Sequence, residues 1–462
     1  VYKRQQILEV MGDRDGQARL LDELESNAAG NPTLVAEITQ RRAWLLAATA
    51  HFEEAERLAL QALDLHARLA DTDGQAGDLQ ALGTMAFWAA RNLEAIEWID
   101  QALELAPPGS VLEANVHHSF CDALHHLHRF TEAQAHLDAA TALYERLQDR
   151  RGLAGALSSQ GALYGQSGRK ALVEPALLRA SQLSEEIGYR YGVAINAFNL
   201  GHHYTITGQG AKALGPCRKS RTVFGAMSNR RGLAMATANL ASLHHALGTD
   251  EAAERLALEA LGMYTELGHD LGQAVCHGTL AEVARRAGNR EAAQAALDAG
   301  LARTERAAAR PARLQLLRTK AHLHLDAEDL TEGLRTAEEA TAECVEAGAG
   351  WLLPDLAVPL ARALVLTGQA ERALEATDSY QGVAQEAALL YWRREALRLM
   401  GDEERAYAVL ETAHEAMFRQ LDGLSAEDIS NSLRNVPIHR DIDSAWQDAR
   451  PTRLTVQLAS AS

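Results

Sequence analysis

The chain has 462 residues, of which 47% are hydrophobic but only 5% aromatic, and it lacks the Val/Ile/Thr/Tyr runs that build sheets, which excludes a large sheet domain. No apolar stretch of about 18 residues occurs, and no basic segment leads into an apolar core at the start, so neither a membrane span nor a signal peptide is present and the expected location is the cytoplasm, with no membrane partner. A net charge of −17 opposes nonspecific attachment to DNA, and Cys121, Cys217, Cys276 and Cys344 stand too far apart for a disulfide framework or a zinc knuckle.

Residues 1–32 read as a helical lead-in. The chain begins at Val1 rather than Met, and it is expected to be a piece of something longer. From residue 33 a small side chain, usually preceded by acidic or polar residues, returns at intervals of about forty. These anchors are Ala55, Ala95, Ala133, Val173, Ala213, Ala253, Ala293, Gly333, Ala373 and Ala406, the last interval shortening to about 33. Five residues before six of them stands a glycine, Gly168, Gly208, Gly248, Gly288, Gly368 or Gly401, where a tight turn between two helices needs positive φ. Small residues recur twelve positions before the anchor (Gly83, Cys121, Gly161, Gly201, Ala241) and seven after it (Ala62, Ala102, Ala140, Ala180, Ala260), as close helix–helix approach requires. A third glycine series, Gly74, Gly152, Gly192, Gly232 and Gly272, is expected to mark the connection between units.

Each unit therefore reads as helix A, a glycine turn, helix B and a connection. With Leu82-Gly83, Leu200-Gly201 and Leu240-Ala241 in helix A, aromatics at Tyr164 and Tyr204, and the anchor in helix B, the pattern resembles the tetratricopeptide repeat in its long variety, over residues 33–418. The resemblance implies an all-α fold, an α-solenoid with right-handed superhelix built from about ten helix-turn-helix units. The closing proline of the shorter repeat is mostly missing, and Pro175, Pro216 and Pro359 fall early in helices, so those units are expected to bend.

Residues 419–447 break the period and read as capping helices. Their run Asn435-Val436-Pro437-Ile438-His439-Arg440, with Ile442 and Trp446 after it, resembles the close of helical arrays in large bacterial signalling ATPases and transcription regulators. Residues 448–462 form a tail, in which the alternation of Thr452–Leu458 reads as the first strand of a missing domain.

No G-x-x-x-x-G-K-[ST] frame contains any of Lys3, Lys170, Lys212, Lys219 or Lys320, so the segment is expected neither to bind nor to hydrolyse ATP. The glycines at Gly208 and Gly210 coincide with a helix turn. Among 18 histidines the densest cluster is His117, His118, His125, His126 and His128. His118, Asp122 and His126 share a helix face, but its ends lie roughly 12 Å apart at about 1.5 Å per residue, too far for one zinc with ligands at about 2 Å. No nucleophile elbow or HExxH pattern occurs, so no catalytic residue, cofactor or metal is expected.

In the resembled family helix A lines the concave face. Carried over residue by residue, the groove positions are Gln80, Thr84, Phe87 and Trp88, then His118, Asp122, His125 and His126, then Gln166, then Phe198, His202 and Thr205, then Ser242 and His245. Rings and neutral polar groups suit a peptide or small ligand; packing of Phe87 and Trp88 between units is the competing reading. The lysine and asparagine set by which some relatives hold a terminal carboxylate is lacking. From residue 285 to residue 320 the charge reverses, with Arg285, Arg286, Arg290, Arg303, Arg306, Arg310, Arg313, Arg318 and Lys320 against three acidic residues. This stretch reads either as a solvated face or as a basic dock for an acidic partner, and without aromatics it lacks platforms for single-stranded nucleic acid.

The function expected from these features is a noncatalytic interaction and sensing module of a bacterial multidomain signalling ATPase or transcription regulator, with a protein or peptide partner, or other domains of its parent chain, and no direct nucleic acid. The alternatives are a free-standing adaptor and the repeat region of a nucleotide-cyclase-containing enzyme.

Overall fold

The computed structural model describes residues 14–28, 30–49, 51–89, 91–127, 129–306, 309–378, 380 and 383–460, with side chains included except at 306 and 450–460. Among these residues every regular element is helical. A lead-in helix α1 (Arg14–Asn27) precedes ten hairpins: α2 (Pro32–Ala48) with α3 (Phe52–Arg68), α4 (Thr72–Trp88) with α5 (Asn92–Leu105), α6 (Val111–His126) with α7 (Phe130–Leu147), α8 (Arg150–Gln166) with α9 (Val173–Glu186), and α10 (Arg190–Ile206) with α11 (Gly210–Ala226). They continue as α12 (Arg230–Ala246) with α13 (Asp250–Glu266), α14 (Asp270–Arg286) with α15 (Arg290–Arg306), α16 (Arg310–Asp326) with α17 (Leu330–Glu346), α18 (Leu353–Leu366) with α19 (Ala370–Ala376), and α20 (Glu386–Leu399) with α21 (Glu403–Leu421). Helices α22 (Ala426–Asn435) and α23 (Pro437–Ser460) follow. This is the all-α solenoid of about ten tetratricopeptide-like hairpins that the forty-residue period predicts.

The period exists because its small residues sit where helices touch. All ten anchors are buried in the second helix of their hairpin. A Cβ at Gly83 would stand 2.4 Å from Ile99 Cγ1, so the spacing of α4 against α5 is one that only glycine permits. The six predicted turn glycines have φ from +71° to +79°. In the eighth hairpin Glu328 occupies the equivalent place at φ +59°, a left-handed conformation that costs a side-chain-bearing residue more.

The third glycine series is placed differently from the sequence expectation. Gly74, Gly152, Gly192, Gly232 and Gly272 are each the third residue of a first helix, not part of the connection. They are there for close approach: an added Cβ would meet the Tyr144 ring at 2.2 Å from Gly152, the Phe224 ring at 2.4 Å from Gly232 and the Tyr264 ring at 2.4 Å from Gly272. The connections instead hold Ala70, Gln148, Gly188, Ser228, Gly268 and Gly348, with φ between +52° and +68°. Since Tyr264 is buried and cannot swing away, Gly272→Ala is expected to lower stability by about 1–3 kcal/mol, read as a fall in the urea midpoint. A midpoint equal to that of the parent chain would show that the ring yields freely.

Pro175 falls in the first turn of α9, behind the 3₁₀ turn Lys170–Leu172, where its missing N–H costs nothing. Pro216 and Pro359 lie inside α11 and α18, each of which nevertheless remains one helix. The strand expected at Thr452–Leu458 is not formed; α23 runs helically through that stretch to Ser460. A single alternating segment has no sheet to join, and continuing the helix satisfies its backbone locally.

Two compact units divide the chain: the first comprises Val1–Leu200 with Pro216–Ala236, the second Gly201–Gly215 with Thr237–Ser462. In the second, α22 and α23 do more than cover the last hairpin. Ile442 joins Ala387, Ala416, Met417 and Leu421 in a buried cluster, as a cap does. Yet Asn435 Nδ2 also donates to the Gly248 carbonyl at 2.8 Å, across 187 residues of sequence, and a Cβ at Gly248 would stand 2.9 Å from the Asn431 carbonyl oxygen. The closing segment thus reaches back to the turn of the sixth hairpin. No described helix is long and apolar enough to cross a membrane.

Candidate functional site

The first helices of successive hairpins present one register of side chains, and the repeat period reappears in their hydrogen bonds. In the first unit Gln40 Nε2 donates to Asp78 Oδ1 (2.8 Å) and Gln80 Nε2 to Ser119 Oγ (3.1 Å). Ser159 Oγ donates to Asp122 Oδ1 (2.8 Å) and accepts from His118 Nε2 (2.9 Å), while Asn199 Nδ2 donates to Ser158 Oγ (3.2 Å). Each bond spans 37 to 41 residues, so each rung joins one first helix to the next.

Several candidate groove residues therefore hold the array together. Gln80, His118 and Asp122 are rungs of this ladder. The Thr84 hydroxyl turns back to the Gln80 carbonyl at 2.9 Å. Phe87 packs on the core and meets His126 edge-on with ring centroids 5.0 Å apart, which is the inter-unit packing weighed against a groove role. His125 is buried beside His126 and Phe130. The buried Gln166 Oε1 has no hydrogen-bond partner among the described residues. Phe198 packs with Ala194, Phe224 and Ala236. Trp88 and Trp44 are half-buried and also pack on a core cluster that includes Ala43, Ala81 and Met85; the Trp88 ring meets Trp44 edge-on at 6.1 Å, and the Arg231 guanidinium lies over it, Cζ 5.9 Å from the ring centroid. His118 and Asp122 meet at Ser159 while His126 meets Phe87, and no group of three or more His, Cys, Asp and Glu suited to a metal occurs among the described residues.

In the second unit the same face is ionic. Glu282 on α14 accepts from Arg285 Nε (3.0 Å), Arg318 Nη2 (3.1 Å) and the Thr319 hydroxyl (2.9 Å). Arg285 Nη1 reaches Asp326 (2.6 Å), and Asp326 receives Arg362 Nη1 (2.6 Å). Arg286 Nη1 pairs with Asp250 at 2.9 Å, and its Nη2 lies 3.1 Å from His245 Nε2, whose Nδ1 is 3.1 Å from Asp250. His245 is thereby a donor through Nδ1 and an acceptor through Nε2, and burial together with Arg286 lowers its pKa. Burial likewise lowers the pKa of His202, while a bond with Asn239 opposes it. The Thr205 hydroxyl bonds the Gly201 carbonyl at 2.8 Å, and Ser242 lies 3.5 Å from Thr279. From the closing segment, His439 feels Arg286 and Asp441 feels Arg362.

The proposed basic stretch accordingly separates into parts. Arg285 and Arg286 are mostly buried and acid-paired, so they offer no free basic surface. Arg303 bonds Gln273 (2.8 Å), and Arg313 pairs with Glu343 at 3.3 Å. Arg290 and Arg310 are exposed, and the side chain of Arg306 lies outside the described residues.

The chemistry of this face is hydrogen bonding, ion pairing and ring contact. Cys121, Cys217, Cys276 and Cys344 are buried and free, and burial pushes the Cys276 thiol up to about 12, which keeps it protonated at neutral pH. Trp44, Asp78, Tyr191, Arg231 and Glu282 escaped the sequence reading; the forty-residue register aligns Asp78 with the apolar Val116 and Ala156 and so gave no sign of a buried acid there.

No protein-family model matches the sequence, and no curated protein matches it. Among solved structures it is similar to a Rap protein complexed with competence and sporulation factor, at 12% identity and a TM-score of 0.50 over 84% of this chain and 99% of that one. It also matches a monomeric IFIT1 mutant with Gppp-AAAA (16% identity, TM-score 0.42, 82% and 90% covered) and a human IFIT1 dimer with PPP-AAAA (17%, 0.41, 82% and 90%). At these identities the likeness is one of fold.

Proposed function

We propose that the chain is a noncatalytic interaction array that binds a peptide or protein segment on the first-helix face of its first unit, as the recognition part of a bacterial multidomain signalling ATPase or transcription regulator. The observation that carries this reading is a contrast between the two units. In the second, the first-helix face is occupied by a closed set of ion pairs and is approached by the closing segment. In the first, the first helices keep the half-buried rings of Trp44 and Trp88, and rings give contact area at small cost in side-chain freedom. The similarity in fold to a helical-repeat protein solved with a bound factor supports the reading.

The test is affinity selection from a defined synthetic nonapeptide library, followed by fluorescence anisotropy on the winners. Trp88→Ala is expected to retain helical content by circular dichroism and to weaken binding by about 2 kcal/mol. Full affinity in a folded Trp88→Ala variant would remove the first-unit face from consideration.

A further inference from the structure

We propose that Arg231 and Trp88 form a carboxylate-binding subsite on the first-helix face of the first unit, built to take an acidic group flanked by an apolar side chain. The proposal rests on the peptide-binding reading and names the chemistry that the face selects.

Arg231 is the second residue of α12, and Trp88 the last residue of α4. Three hairpins lie between them in sequence, yet both belong to the first unit and the guanidinium lies over the indole at 5.9 Å. Many arginines on first helices are tied to carboxylates: in the first unit Arg42 to Asp22 and Glu25 and Arg150 to Glu186, in the second Arg285 to Glu282 and Asp326, Arg286 to Asp250, Arg318 to Glu282 and Arg362 to Asp326. Arg231 has no ion pair among the described residues, and its buried Nε has no hydrogen-bond partner there. A guanidinium donates in a planar fork, and a desolvated donor left unmatched costs stability. A ring behind it fixes the plane of the fork and leaves its outer edge for an acceptor. Other groups act on this place: the Tyr191 phenol is pushed up by burial and eased by Arg231 and Arg14, while Tyr189 and Asp122 act in the opposite sense.

The net charge bears on which anion fits. The chain as a whole carries −17, so a polyphosphate meets repulsion that a single carboxylate largely escapes. One arginine matches one carboxylate in bidentate geometry. Trp44, 6.1 Å from Trp88, extends the apolar surface beside the fork for the neighbouring side chain.

The experiment uses N-acetyl-leucine and N-acetyl-leucinamide, which differ only in the carboxylate, and follows the Trp88 indole N–H signal by NMR, assigned by its loss in Trp88→Phe. N-acetyl-leucine is expected to move that signal in the full chain, the amide to move it at least about tenfold less at equal concentration, and Arg231→Ala to abolish the difference. Arg231→Gln, which keeps a planar group over the ring without the charge, should give the same loss and serves if the alanine variant does not fold. Equal response to acid and amide, a response that survives Arg231→Gln, or tighter binding of inorganic phosphate than of N-acetyl-leucine would each overturn the subsite. Library peptides that bind equally well after Glu→Gln and amidation would also overturn it while leaving the peptide reading intact. An Arg231-dependent response to N-acetyl-leucine with no peptide selected would leave the subsite standing and remove the peptide reading.

Discussion

Glu282→Ala is expected to destabilise the second unit by about 3–5 kcal/mol, the largest single effect on that unit. Glu282 is buried and holds three donors, from Arg285, Arg318 and Thr319. Removing it leaves Arg285 with Asp326 alone and Arg318 with the more distant Asp355 at 3.6 Å, two cations that have lost the buried acceptor between them. Burial alone would raise its pKa, but Arg285 and Arg318 reverse this and hold the carboxyl well below its ordinary value of 4.5. A depressed carboxyl pKa gives stability that is present above the unfolded pKa and is lost as pH falls through the folded one. The parent chain should therefore keep this contribution at pH 5 and shed it only below about pH 4, whereas Glu282→Ala should lack that acid-dependent step. Hydrogen exchange of the α14 and α16 amides reads both effects, because local opening in a repeat array reports nearest-neighbour contacts. Unchanged protection would mean that the arginines find other partners.

Asp78→Ala is expected to cost the first unit about 3 kcal/mol. Asp78 is fully buried on α4, with Oδ2 2.5 Å from His66 Nδ1 on α3 and Oδ1 accepting from Gln40 on α2. One carboxyl thus ties three helices together, and alanine would leave a buried imidazole and a partly buried amide without their acceptor. Burial is also the largest influence on Asp78, raising it to about 6 against the opposing bonds from His66 and Gln40. Its folded pKa lies above the ordinary 3.8, so the ionised form is the disfavoured one in the fold, and stability from this group declines as pH rises between those values. Asp78→Asn keeps the shape without the charge and should cost about 1 kcal/mol at pH 7, and more at pH 5, because the parent chain gains stability as its carboxyl protonates while the amide does not titrate. Urea denaturation of the two variants at both pH values checks this; equal losses for Ala and Asn would show that charge rather than hydrogen bonding is what matters.

The hairpins were legible in the sequence because small residues must return wherever helices touch. The anchors, the turn glycines and the ten-unit count follow from that one constraint. Gly152, Gly232 and Gly272 were visible as a series but misplaced, since spacing does not say whether a glycine serves a turn or makes room for a ring. The answer lay eight residues upstream, where Tyr144, Phe224 and Tyr264 keep the same register. The helical course of residues 452–458 was not legible from alternation, because a strand needs a neighbour that a local pattern cannot supply.

The candidate site was legible only as a register. Sequence placed Gln80, His118, Asp122 and His245 on one face but not their commitment to the next hairpin, because hydrogen-bond partners about forty residues away depend on how hairpins stack. Arg231 was passed over for a related reason. In a chain where arginines are numerous, the informative property is the missing acid, and that emerges only once each acid has been assigned to a base.

The most direct test of the recognition claim is photo-crosslinking of a library-selected peptide to full-length protein carrying p-benzoylphenylalanine at one position. Thr84 lies on the first-helix face of α4, and Leu60 is an exposed residue of α3 at 48% of its full accessibility. Efficient crosslinking from Thr84, with none from Leu60, is the predicted result. Crosslinking from Leu60 with Thr84 silent would place the partner on the second helices and contradict the account.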